Sequence, residues 1–104
     1  MGYLITHCWY ANHLADEVEK KYLETMEKYP PDESLAKTIV PAAVSAKRKG
    51  IQTITIDEVE RPKLGEALER GALFMAEFRN INGFRYEIRP WANLEEAMKQ
   101  IGMG

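Results

Sequence analysis

Two residues near the start of the chain, His7 and Trp9, form the pair best suited to chemistry. Both belong to an apolar, aromatic stretch at residues 3–10, and positions two apart in a strand point to the same face. Histidine exchanges a proton near neutral pH more readily than other side chains, which favours His7 as a general base or as a polar anchor for a ligand. The competing interpretation is a hydrogen-bonded histidine beside an aromatic core residue.

A metal site is not expected, although His7, Cys8 and His13 are all potential ligands. His7 and Cys8 are adjacent in a strand and therefore point to opposite faces, so they do not easily share one ion. His13 falls at the start of the first predicted helix. We therefore expect no metal and no cofactor. The alternative left open is a haem-dependent enzyme with His7 or His13 as axial ligand.

Two rows of polar side chains are the other candidate binding residues. If the apolar residues of each strand face the helices, both rows face the opposite side, and we place His7 there with them. The rows then line an anion-binding cavity, whereas mutual ion pairing or solvent exposure is the alternative. The rows are Thr53, Thr55 and Asp57 in one strand and Arg85, Glu87 and Arg89 in another. The candidate ligand-binding residues are Trp9, Thr53, Thr55, Arg85, Glu87 and Arg89.

The elements that position these residues alternate in a recognisable order. Strand patterns at residues 3–10, 38–46, 51–57 and 84–89 are separated by two helix patterns and followed by a short helix at 94–101. Asn12 is the predicted N-cap of the first helix, and Asn93 with Glu96 forms a capping box before the last. The order strand, helix, strand, strand, helix, strand predicts one ferredoxin-like α+β domain over residues 1–104. Its antiparallel sheet has the order 4-1-3-2, with both helices on one face.

Composition excludes several classes of protein. The 104 residues carry a net charge of −2, so nucleic-acid binding is not expected. The only basic cluster, residues 47–49, precedes Gly50 and is interpreted as a solvated hairpin turn. No stretch approaches the ~18 apolar residues of a membrane span, and no charged leader precedes the first strand. With a single cysteine, Cys8, we expect a cytoplasmic protein without disulfides.

A homodimer is expected because two helices cover only one face of a four-stranded sheet. The first strand is apolar on both faces, and the second strand is nearly so. Pro41 makes that second strand an edge strand or a bulged one. An exposed apolar patch of several hundred Å² is unusual in a monomer. Two sheets packed face to face about a two-fold axis would cover it.

The layout resembles a known superfamily. The resemblance rests on the strand order, the aromatic first strand ending near Trp9, the hairpin at Gly50 and the run of residues 88–91 (Ile-Arg-Pro-Trp). These features resemble the small dimeric α+β-barrel proteins, and most closely a single-domain family of uncharacterised function. The superfamily includes oxygenases of small aromatic compounds, haem-degrading enzymes, decarbonylating and isomerising enzymes, and proteins without known activity. The resemblance thus implies a fold and a dimer but does not select a reaction.

Two functions follow as hypotheses. The first is a small-molecule-binding protein or a cofactor-independent enzyme of oxygenase or isomerase type. Its pocket lies near His7 and Trp9 and takes a small aromatic or anionic ligand. The alternative is a non-catalytic dimeric module for regulation or protein interaction, with an exposed apolar patch around Leu73 and Phe74.

Overall fold

The structure, a computed structural model, describes residues 2–100 and 102. Its strands and helices follow the predicted order. The strands are β1 (Gly2–Tyr10), β2 (Lys37–Lys47), β3 (Gly50–Val59) and β4 (Arg85–Ala92), and the helices are α1 (Ala15–Lys28), α2 (Leu64–Ala76) and α3 (Leu94–Gln100). Single 3-10 turns at Asn12–Leu14 and Arg61–Lys63 lead into α1 and α2. The predicted extension of α3 to residue 101 lies outside the described residues.

The four strands form one antiparallel sheet in the order β2-β3-β1-β4. This is the predicted order 4-1-3-2 read from the opposite edge, so the predicted topology is confirmed. β1 and β3 occupy the centre, where an apolar strand is expected, and β2 and β4 form the edges. None of the helices within residues 2–100 is long and apolar enough to cross a membrane.

The two faces of the sheet differ in cover. Leu4 and Cys8 of β1 belong to core clusters that also contain Val18 of α1 and Met75 of α2, so both helices pack on the face of the even-numbered β1 residues. We call this the helix-covered face. The opposite face, called the open face, carries the odd-numbered residues of β1 and their cross-strand partners. Among the described residues, none that is buried belongs to the open face.

The two edge strands are irregular at their prolines. β2 shifts register against β3 twice, between Thr38 and Val40 and between Val40 and Ala43, so Pro41 lies within the second shift. β2 is therefore both an edge strand and a bulged one, as the missing N–H of proline predicts. β4 continues through Pro90 to Ala92, beyond its predicted end at Arg89. An edge position tolerates Pro90 because one side of the strand needs no ladder partner.

Of the two predicted helix caps, one is confirmed and the other is wrong. The capping box before α3 is confirmed: the Glu96 amide donates to Asn93 Oδ1 over 2.8 Å, and the Asn93 amide donates to Glu96 Oε1 over 3.3 Å. The predicted N-cap role of Asn12 is wrong. Its side-chain amide instead donates to the carbonyls of Lys47, at 2.9 Å, and Arg48, at 3.3 Å. Asn12 therefore fastens the β2–β3 hairpin to the chain that follows β1.

Candidate functional site

His7 and Trp9 stack on each other on the open face. Their ring centroids lie 5.4 Å apart with the planes inclined by 23°. Ile54 and Glu87 are the cross-strand neighbours of His7. Both rings are only partly buried, and no hydrogen bond joins the His7 imidazole to any other described residue. The pair therefore differs from a hydrogen-bonded histidine in a core, because His7 is partly exposed and has no hydrogen bond within the described chain.

The charged row of β4 also lies on the open face, where the sequence pattern places it. Arg85 is the cross-strand partner of Trp9, and Glu87 is that of His7. Glu87 Oε1 lies 3.5 Å from Arg89 Nε, and the Arg89 guanidinium lies 5.6 Å from the centre of the Trp91 ring. Two of the three charges are thus partly neutralised by each other. Arg85 forms no salt bridge with a carboxylate of the described chain, so its charge is available beside Trp9.

The polar row of β3 lies on the opposite face from His7. Thr53 pairs with buried Cys8, and Thr55 and Asp57 share its face. The Thr55 hydroxyl donates to the Pro41 carbonyl over 2.9 Å and so supports the bulge in β2. The prediction that both polar rows and His7 share a face was therefore wrong for this strand. The open face of β3 instead carries Ile54 and Ile56, flanked by Gln52 and Glu58, so the threonines turn toward the helices.

Two ionisable groups on the helix-covered face have altered pKa values because they are buried. Burial raises the pKa of the Cys8 thiol, and a hydrogen bond with Thr53 offsets part of that increase. A raised pKa keeps the thiol protonated, so Cys8 is a small apolar core residue and a poor nucleophile. Burial also raises the pKa of Asp57, although the Thr38 hydroxyl donates to Asp57 Oδ1 over 2.8 Å and opposes the change. Neither group faces the His7–Trp9 pair.

An open cleft of about 400 Å³ lies at the end of the sheet next to Trp9. It forms where the end of β1, the β2–β3 hairpin and the start of β4 meet, and it is lined by Trp9, Tyr10, Ala11, Ser45, Lys47, Lys49, Gly50, Ile51, Gln52, Gly83 and Arg85. Sequence reasoning proposed Trp9 and Arg85 for a site but missed Lys47 and Lys49. The available signal was the basic run at residues 47–49, whose hairpin register brings it to the end of β1.

No arrangement of three or more histidine, cysteine, aspartate or glutamate side chains suited to a metal ion occurs within residues 2–100. His7 and Cys8 point to opposite faces, as their adjacency in β1 requires. The side chains at the site offer an imidazole, an indole and nearby cations, which can form hydrogen bonds, stack and attract opposite charge.

Comparison with known proteins supports the fold and indicates no reaction or ligand. No protein-family model matches the chain, and no curated protein matches it. Among solved structures, the de novo designed protein Foldit4 is similar, with a TM-score of 0.50 and 8% sequence identity, over 89% of this chain and 99% of that one. At this identity the similarity concerns the path of the backbone alone. The chain is thus shown to be an α+β protein with a four-stranded antiparallel sheet.

Proposed function

We propose that the protein is a homodimer that binds a small molecule at the open face, beside His7 and Trp9. The observation that supports this most directly is the open face itself, which is apolar at its centre and lies opposite the face on which α1 and α2 pack. Its apolar side chains come from three strands: Tyr3, Ile5, Trp9, Ile54, Ile56 and Trp91. A second copy of the chain, related by a two-fold axis, presents the same surface and covers it.

The accessible surface of a single chain supports a dimer. The chain exposes 7485 Å², whereas a folded monomer of this mass exposes about 5,950 Å². Burying the excess on each of two chains removes roughly 3,000 Å² in total, which lies within the range of permanent homodimers. The surplus surface is thus about what such an interface requires.

The shape of the chain leads to the same expectation. Its extents are 47 × 31 × 19 Å, and its radius of gyration is 15.0 Å, compared with about 13 Å for a globular domain of this length. The short dimension corresponds to one sheet and one layer of helices. Two sheets packed face to face lie about 10 Å apart, so pairing converts this flat plate into a rounder body with a second core.

His7 is the residue proposed to bind or act on the ligand. In its neutral form an imidazole offers one donor and one acceptor, and no hydrogen bond within the described chain occupies either. Trp9, stacked beside it, offers an aromatic surface. If the protein is an enzyme that needs no cofactor, His7 is the general base, and it takes a proton from a ligand held against Trp9. The single buried thiol, Cys8, fits a cytoplasmic location.

The test combines particle mass with ligand binding. Light scattering should report twice the chain mass of 11.9 kDa at micromolar concentration. A panel of small aromatic compounds should raise the melting temperature of the wild type, and His7→Ala should abolish that shift. His13→Ala is the matched control, because His13 is an exposed histidine of the turn before α1 and should leave binding unchanged. A monomer that no compound stabilises would contradict both parts of the proposal.

A second candidate, a non-catalytic interaction module, is favoured by leucines on the outer surface of the helices. Leu73 of α2 and Leu23 of α1 are 50% and 59% exposed. Their sequence neighbours Phe74 and Tyr22 contact each other edge to face, with ring centroids 6.0 Å apart, so α1 and α2 meet next to these leucines in sequence. Leu73→Ser should abolish binding of a protein partner in this case and leave small-molecule binding intact.

A further inference from the structure

The open cleft beside Trp9 is built from three separate parts of the chain. Trp9 and Tyr10 come from the end of β1, Lys47 and Lys49 from the β2–β3 hairpin, and Arg85 from the start of β4. Its volume of about 400 Å³ falls within the range of roughly 300–1,000 Å³ that small-molecule sites occupy. The cleft is therefore large enough for a single-ring ligand with a polar substituent.

The hairpin wall of the cleft is held in place by contacts with the end of β1 and the residues that follow it. Asn12 donates from its side-chain amide to the carbonyls of Lys47 and Arg48. Gly50 has φ +147°, and a Cβ at that position would lie 2.9 Å from the Tyr10 carbonyl oxygen. Only glycine permits this approach, which brings the hairpin against the end of β1. A wall fixed in this way loses little conformational entropy when a ligand binds.

The charges around the cleft have one sign. Lys47 and Lys49 line one side and Arg85 the other, and no aspartate or glutamate is among the lining residues. None of the three cations forms a salt bridge with a carboxylate in the described chain, although the protein as a whole carries a net charge of −2. Three unneutralised cations around one cleft attract an anion.

The Trp9 indole indicates which group the ligand carries besides its negative charge. The Trp9 indole lines the cleft and also stacks on His7. A planar ring placed against an indole gains stacking and dispersion energy beyond its buried area. A guanidinium or ammonium beside that ring is placed to contact a carboxylate attached to it.

We propose that the cleft binds a small aromatic carboxylate, with the ring against Trp9 and the carboxylate between Lys47, Lys49 and Arg85. This inference rests on the proposed small-molecule binding and adds the class of ligand and the residues that anchor it. The hairpin lysines are thus the specificity-determining residues of the site, and His7 lies at the far side of Trp9 from them.

The experiment uses the full-length protein carrying Trp91→Phe, so that Trp9 is the remaining tryptophan and reports binding through its fluorescence. Benzoate and phenylacetate are the aromatic carboxylates, benzamide supplies the ring without the charge, and acetate supplies the charge without the ring. We expect both aromatic carboxylates to bind, and both controls to bind at least about tenfold more weakly. Affinity should fall as sodium chloride rises, because the anchoring charges are near the surface.

Variants of the hairpin lysines distinguish the proposed ligand class from the more general proposal of small-molecule binding. Lys47→Gln combined with Lys49→Gln should weaken benzoate binding by about tenfold or more. Arg48→Gln is the matched control, because Arg48 belongs to the same hairpin but does not line the cleft. This variant should bind benzoate as tightly as the Trp91→Phe protein does. Circular dichroism should be unchanged in all of these variants, since the substituted side chains are exposed.

Each outcome decides the question. Benzamide binding as tightly as benzoate, with a loss in His7→Ala and none in the double lysine variant, would overturn the anionic class and leave the proposed function intact. Benzoate binding that is lost in the double lysine variant and kept in His7→Ala would support the cleft and remove the role proposed for His7. Failure of all compounds to bind would overturn both.

Discussion

The helix-covered face and the open face of the same sheet differ in how far their apolar side chains are buried. β1 supplies Leu4 and Cys8 to one and Ile5, His7 and Trp9 to the other, so a single strand is apolar in both directions. On the helix-covered face α1 and α2 bury Leu4 and Cys8, whereas Val44 of the edge strand β2 stays 64% exposed. On the open face comparable side chains are only partly buried. A chain of two layers can cover only one face of its sheet, and in the dimer proposed above a second copy covers the other.

The largest expected effect concerns the helix-covered face. Phe78 is 2% exposed and packs between Phe74 and Phe84, so Phe78→Ala should lower the free energy of unfolding by about 3–5 kcal/mol. Urea unfolding at a fixed protein concentration measures it. Leu94→Ala is the control, because Leu94 is 77% exposed and should change stability by less than about 0.5 kcal/mol. Equal effects of the two variants would remove the distinction between a core and a surface on this side.

The second prediction concerns a charge placed on the open face. Ile54→Lys places a charge at the centre of the proposed interface and should raise the dimer dissociation constant by about 100-fold or more, because the ammonium is desolvated without a partner. Sedimentation equilibrium should then report the 11.9 kDa chain. Leu73→Lys changes an exposed leucine on the helix side and should leave the dimer intact. Dissociation in both variants would place the interface elsewhere.

The third prediction compares two glycines. Gly50→Ala should lower the free energy of unfolding by about 1–3 kcal/mol, because a Cβ would lie 2.9 Å from the Tyr10 carbonyl at φ +147°. Gly65→Ala, within α2, meets no atom within 4 Å and should raise it by about 0.5–1 kcal/mol. Thermal unfolding of both variants measures the difference. A Gly50→Ala protein as stable as the parent would mean that the hairpin does not need its close contact with β1.

The smallest expected effect is a pH dependence on the helix-covered face. Burial raises the pKa of Asp57 in the folded protein, so the folded state binds its proton more tightly than the unfolded state does. Stability contributed by this group therefore increases as pH falls through the folded pKa and is lost as pH rises. Asp57→Asn should remove this dependence and stabilise the protein at neutral pH by less than about 1 kcal/mol, since the carboxyl is only half-buried. Parallel urea titrations at pH 4 and pH 7 on both proteins would show it, and identical pH profiles would contradict it.

The order of elements was predictable because it depends on periodicity and on breakers that act locally. Alternating apolar residues predicted β3 and β4, and Pro41 predicted a bulged edge for β2. The capping box of Asn93 and Glu96 needs only residues three apart, and it was found as predicted. The predicted N-cap role of Asn12 was wrong because its side-chain amide donates to the Lys47 carbonyl, in a hairpin 35 residues away.

The composition of the candidate site was only partly predictable, because sequence does not show which face of a strand is covered. In β4, Tyr86 and Ile88 face the helices, so Arg85, Glu87 and Arg89 lie on the open face. In β3, Ile54 and Ile56 face away from the helices, and Thr53 and Thr55 turn inward. The rule that apolar residues meet the helices fails when the other face is also apolar. Lys47 and Lys49 were missed because their approach to Trp9 depends on the three-dimensional path of the hairpin.

The prolines in the two edge strands limit how copies of this chain can associate. Pro41 in β2 and Pro90 in β4 each remove an amide donor from an outer margin of the sheet, and the register shifts in β2 bend that margin further. A regular margin would let strands of successive molecules add without end, as in fibrils, whereas interrupted margins discourage such growth. In the face-to-face pairing proposed above, association would end after one partner has been added, and the interrupted margins favour that arrangement over growth along the sheet.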